Sequence, residues 1–127
     1  MTRVQNILTK NFKKDDSWEL TFITLPSARS KKRSHQPAIV FIVDTHSTFV
    51  LKMENMTYAD DVSRSFNEAI LDSIEQYGHI PKKFLFDSEE LRDICAALAL
   101  SLQIETQTVK TLPAVAEALS SMREFGL

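Results

Sequence analysis

Apolar positions along the chain fall into blocks of different period. WELTFITL (18–25) places Trp18, Leu20 and Phe22 on one parity and Ile23 and Leu25 on the other, as a strand does. Pro26 closes it. PSARSKKRSHQP (26–37) is polar, basic and bracketed by prolines, so it reads as a loop. AIVFIVDTHSTFVLKM (38–53) splits into two β-rich runs around the turn residues Asp44–Ser47, which predicts a hairpin. The continuous apolar run of its first arm fits a strand covered on both faces. Thr57 and Asp60 resemble a capping box, and Val62, Phe66, Ala69, Ile70, Ser73, Ile74 and Tyr77 then recur at helical spacing up to Gly78 and Pro81. KKFLFD (82–87) reads as a short buried strand, followed by a helix with a Leu91, Ile94, Cys95, Leu98, Leu102 stripe that Asp87 or Ser88 would cap. IETQTV (104–109) alternates as a strand. Pro113 opens a last helix with Val115, Ala118, Leu119 and Met122 inward.

The predicted order is βββαβαβα, an α/β fold with a mixed five-stranded sheet and helices on its faces. Three early strands are antiparallel, and the later βαβ alternation demands parallel neighbours with right-handed crossovers. Residues 1–17 are an amino-terminal arm, either frayed or a short helix through Val4, Ile7, Leu8 and Phe12, and residues 18–127 form one domain.

Composition narrows the function classes. The chain has 127 residues, 43% apolar and 25% charged, which suits one ordinary globular domain. A single cysteine, Cys95, excludes an internal disulfide and a multi-cysteine zinc site, and fits a reducing, cytoplasmic setting. Only Gly78 and Gly126 are glycines, so Gly-rich phosphate loops are absent. The longest apolar runs, AIVFIV (38–43) and ICAALAL (94–100), are far short of the roughly 20 residues that a membrane helix needs, and no membrane partner is expected. Net charge is −2 but uneven. Residues 1–35 hold eight Lys/Arg and three Asp/Glu (+5), and residues 36–127 hold seven and fourteen (−7). An acidic body does not suit wrapping a phosphate backbone.

Several motifs together resemble the integrase and transposase core of the ribonuclease-H-like superfamily. They are the Trp-led strand WELTFITL, the hairpin with an Asp-containing turn IVFIVDTHSTFVL, the helix ending in YGHIP, the strand ending FLFD, the short strand IETQTV and the helix PAVAEAL. The resemblance covers about residues 18–124. YGHIP and LPAVAE are also similar to the cadence of small bacterial domains without assigned function.

The resemblance implies three carboxylates holding two divalent ions, Mg²⁺ or Mn²⁺, for phosphodiester chemistry. The first stands three residues after the Trp, which here is Thr21, a residue that cannot replace a charged ligand. Glu19 lies two residues back on the same face. The second carboxylate maps onto Asp87 and the third onto Glu117, or else Glu124. Each has a bland reading beside it. Asp87 can be a helix cap backed by Glu90, and Glu117 a solvated face pointing away from its helix's apolar stripe. Asp44, two residues from His46, is either a metal ligand or an acid bonding its own turn. His35, His46 and His79 have no metal-site spacing, and Cys95 falls on an apolar stripe.

The reading that follows is a ribonuclease-H-like domain without a complete acidic metal site. It would serve as a non-catalytic module that binds a protein partner or a second copy, with no cofactor. Two alternatives stand beside it. One is a divergent metal-dependent nuclease using Asp44 or Glu19, Asp87 and Glu117. The other is a weak, salt-sensitive nucleic-acid tether through Arg29, Lys31, Lys32 and Arg33.

Overall fold

The computed structural model describes residues 2–24, 37–57 and 62–124. Its elements in chain order are α1 (Arg3–Thr9), β1 (Lys13–Lys14), β2 (Ser17–Thr24), β3 (Pro37–Asp44), β4 (Val50–Thr57), α2 (Val62–Tyr77), β5 (His79–Ile80), β6 (Lys83–Phe86), α3 (Glu89–Ser101), β7 (Glu105–Thr108) and α4 (Pro113–Glu124). The main sheet has the order β4-β3-β2-β6-β7. β2 pairs antiparallel with β3 and parallel with β6, and β6 pairs parallel with β7. This is the expected mixed five-stranded sheet.

Side-chain alternation divides the core into two layers. On one face, Trp18 and Leu20 of β2 and Val40 and Ile42 of β3 pack with Phe84 and Phe86 of β6 under α2 and α3. On the other, Phe41 and Val43 of β3 pack with Ala114, Val115 and Ala118 of α4. β3 is thus covered on both faces, which explains its unbroken apolar run. Gly78 ends α2 with φ +68°, and its N–H donates to the Ile74 carbonyl at 2.8 Å. Among the described residues no helix is long and apolar enough to cross a membrane.

Three local expectations shift. Residues 3–9 form a helix, Ile7 lies in the main core at 1% exposure, and Arg3 bridges Asp72 at 2.7 Å and Glu75 at 2.8 Å on α2. The Arg3 guanidinium is held above its ordinary pKa, first by its bond to Asp72 and then by that to Glu75. Lys13 and Lys14 pair in parallel with His79 and Ile80, a two-stranded sheet too short for periodicity to announce. α2 is described from Val62, and Thr57 is the last residue of β4. Its backbone is committed to the ladder opposite Pro37, so β4 runs four residues past the Met53 end that its apolar pattern suggests. The rest of the proposed capping box, Tyr58–Asp60, lies outside the described residues.

Candidate functional site

Thr21, midway along β2, and Asp87, the residue after β6, are brought together by the parallel pairing of the two strands. Leu20 is in register with Phe86, so the next residues, Thr21 and Asp87, lie side by side as β6 ends. Thr21 is 7% exposed, and its hydroxyl lies 3.2 Å from Oδ1 and 3.3 Å from Oδ2 of Asp87. A hydroxyl has one hydrogen, so it donates to the carboxylate through a single shared proton. Asp87 itself is exposed and does not cap α3. That role falls to Ser88, whose Oγ accepts from the Leu91 N–H at 3.2 Å. A cleft of about 330 Å³ opens beside the pair, walled by Phe22, Val62, Leu91 and Ile94 with Asp87 and Glu90 at its polar side.

Glu19, two residues before Thr21 on the same face of β2, is fully buried. Its Oε2 accepts from the Ala114 N–H at 3.2 Å and its Oε1 from the Val115 N–H at 3.0 Å. These are two of the amides that the first turn of α4 leaves unpaired. Leu112, whose carbonyl accepts the first intrahelical bond from Ala116, has no side-chain oxygen to cap the helix. A carboxylate from a strand 95 residues away caps it instead, where the helix dipole favours negative charge.

Asp44 and Glu117 do not join Asp87. Asp44 lies opposite Trp18, on the far side of β2 from β6. Three residues along β2 and two strand spacings across put its backbone about 14 Å from that of Asp87. Its Oδ1 accepts from the His46 N–H (3.0 Å), the Ser47 N–H (2.9 Å) and the Ser47 hydroxyl (3.1 Å), so it organises the β3–β4 turn. Glu117 is exposed on α4. His79 faces Asp15 at 3.3 Å. Asp15 is held below the ordinary carboxylate range, chiefly by its hydrogen bond with Lys13 and secondarily by that with His79. Cys95 is buried, and burial pushes its thiol up to about 12. Among the described residues no three of His, Cys, Asp and Glu stand where they could hold one metal ion. One carboxylate beside a threonine does not fit the donor set of a two-metal centre, which needs several anionic oxygens. The basic residues Arg29, Lys31, Lys32 and Arg33 lie outside the described residues.

The strand order and the Thr21–Asp87 juxtaposition define a ribonuclease-H-like fold of the integrase-core type. Solved structures bear this out. The HTLV-2 integrase catalytic core domain in complex with magnesium superposes with a TM-score of 0.62 at 15% identity, over 86% of this chain and 68% of that one. The catalytic core domain of BIV integrase gives 0.51 at 15%, over 86% and 67%. A chain of the simian T-cell lymphotropic virus intasome, in complex with PP2A regulatory subunit B56 gamma, gives 0.54 at 14%, over 90% and 40%. At such identities the likeness establishes the fold alone. No curated protein matches the chain in sequence. The sequence model of the family described as "Domain of unknown function (DUF6930)" matches residues 4–123, and the chain belongs to that family.

Proposed function

We propose that this chain is a degenerate ribonuclease-H-like domain, one that carries out no metal-dependent phosphodiester chemistry and works as a binding module for a protein partner. The carrying observation is the fate of the acids on β2. The position beside Asp87 is a threonine that donates a hydrogen bond to it, and the nearest acid on that strand face, Glu19, is consumed by the start of α4. Each divalent ion of a two-metal centre needs bridging and flanking carboxylates to offset its charge and stabilise the attacking and leaving oxygens. Asp87 alone supplies one.

The reading requires no cofactor, and a cytoplasmic setting suits the lone reduced cysteine. Its test is a calorimetric titration with Mn²⁺ beside a cleavage assay on labelled DNA and RNA duplexes, with wild type and Asp87→Asn. The expected result is no saturable metal binding and no cleavage by either protein. Metal-dependent cleavage that disappears in Asp87→Asn would overturn the proposal.

A further inference from the structure

We infer that the cleft beside Asp87 receives a partner-protein segment that presents an arginine next to a large apolar side chain, an inference that rests on the non-catalytic reading above. The cleft, about 330 Å³, lies at the small end of ligand cavities and has two chemically distinct sides. Phe22, Val62 and Ile94 are half-buried and Leu91 is 5% exposed, so together they present an apolar wall that an aliphatic side chain would dehydrate. Asp87 and Glu90 supply negative charge, and among the described residues no lysine, arginine or histidine lines the cavity. Those carboxylates repel the phosphates of a nucleic acid and attract a cation.

Arginine is the cation that fits best. Thr21 holds both Asp87 oxygens at nearly equal distances, 3.2 and 3.3 Å, through one shared proton. The carboxylate is thereby oriented before any ligand arrives, and its remaining lone pairs stay available to a planar guanidinium fork. Ammonium groups offer no such fork. Thr21 is almost wholly buried, and its bond to Asp87 is present without a ligand, which lowers the ordering cost of binding.

The test is a titration of ¹⁵N-labelled protein with acetyl-Leu-Arg-amide, followed by amide chemical shifts. Acetyl-Leu-Glu-amide and acetyl-Ala-Arg-amide serve as comparisons. One ion pair and one apolar anchor predict a Kd on the order of 1 mM, with saturating shifts confined to the neighbourhood of Thr21, Asp87, Leu91 and Ile94. Both comparison peptides are expected to bind at least about 5-fold more weakly, as is the parent peptide to Asp87→Asn or Glu90→Gln. Both substituted positions are exposed, and the same spectra report whether each variant is folded. Absence of localised shifts at about 20 mM peptide, or equal binding of the Glu peptide, would overturn the inference. Mg²⁺-dependent cleavage would overturn the non-catalytic reading whatever the peptides do. Absence of both cleavage and peptide binding would leave that reading standing and remove only this one.

Discussion

Replacing Glu19 by alanine separates a scaffold carboxylate from a catalytic one. Two amides in the first turn of α4 lose their acceptor in a region that water does not reach, since Glu19, Ala114 and Val115 are all buried. Each hydrogen bond to a charged group is worth about 1.5–3 kcal/mol, and each buried N–H left unpaired costs about 1–3 kcal/mol. Removing the side chain also cancels the desolvation cost of keeping a carboxylate inside, which offsets part of the loss. The balance is a destabilisation of about 2–5 kcal/mol, above the roughly 0.5–2 kcal/mol of an ordinary surface cap. Measured against a total of about 5–15 kcal/mol, this is a large fraction.

Urea unfolding followed by fluorescence of Trp18 gives a direct readout, because this residue is the chain's single tryptophan and is 2% exposed in the folded state. Glu19→Gln keeps the volume and one acceptor oxygen but turns an NH₂ toward the second amide. It is expected to lose about 1–3 kcal/mol. Hydrogen exchange at Ala114 and Val115 should accelerate in both variants more than exchange at Phe41 or Val43 in the sheet. A Glu19→Ala protein within about 0.5 kcal/mol of wild type, with unchanged exchange at those amides, would refute the cross-sheet cap, since that is the range of a surface substitution.

Gly78→Ala is expected to cost about 1–2 kcal/mol, the penalty for an L-residue in the left-handed region. A Cβ there meets nothing nearer than the Phe12 ring at 3.9 Å, so the loss is conformational and Gly78→Asn should recover part of it in a thermal melt. A neutral Gly78→Ala would contradict the positive φ. Cys95 should resist Ellman's reagent in the native protein and react at once in urea; fast native labelling would mean that the α3 face opens. Its thiol is raised from 9.0 to about 12 by burial, so ionisation favours the unfolded chain. The stabilisation from keeping the thiol neutral is whole below pH 9 and is lost progressively as pH rises toward 12, and Cys95→Ala should flatten that alkaline limb of the stability profile.

Much of the fold was legible because its signals are local. The doubly apolar run of β3, the Trp18–Leu20–Phe22 parity of β2 and the Gly78 stop of α2 each follow from a period or a single residue's backbone preference, and each is where the pattern puts it. Elements decided by partners far along the chain were not legible. Thr57 carries a capping residue's chemistry, yet β4 takes it because Pro37 extends the ladder opposite. Lys13 and Lys14 gain strand geometry only from His79 and Ile80. At the candidate site, the resemblance to the integrase core implied that positions 21 and 87 share one site, whereas the role of Glu19 depended on a helix 95 residues later. Two signals could have found it: an acid between apolar neighbours in a buried strand, and a helix entered through Leu112-Pro113 with no capping oxygen of its own.

Those anomalies carry consequences for what the domain can do. A carboxylate at position 21 would stand beside Asp87, two anions in a pocket that no lysine, arginine or histidine lines among the described residues, and like charges that close disfavour joint ionisation unless a metal intervenes. Threonine removes the repulsion and adds a donor, so Asp87 is oriented without any metal. Two residues back, a carboxylate tolerates full burial because two backbone amides and the α4 dipole meet it. Acidity at 19 and hydroxyl at 21 thus divide the strand face into a position that caps α4 and one that bonds Asp87. The arrangement leaves Asp87, bonded to a buried hydroxyl, and Glu90 as the exposed acids of an apolar cleft, the geometry on which the proposed recognition of a side chain rests.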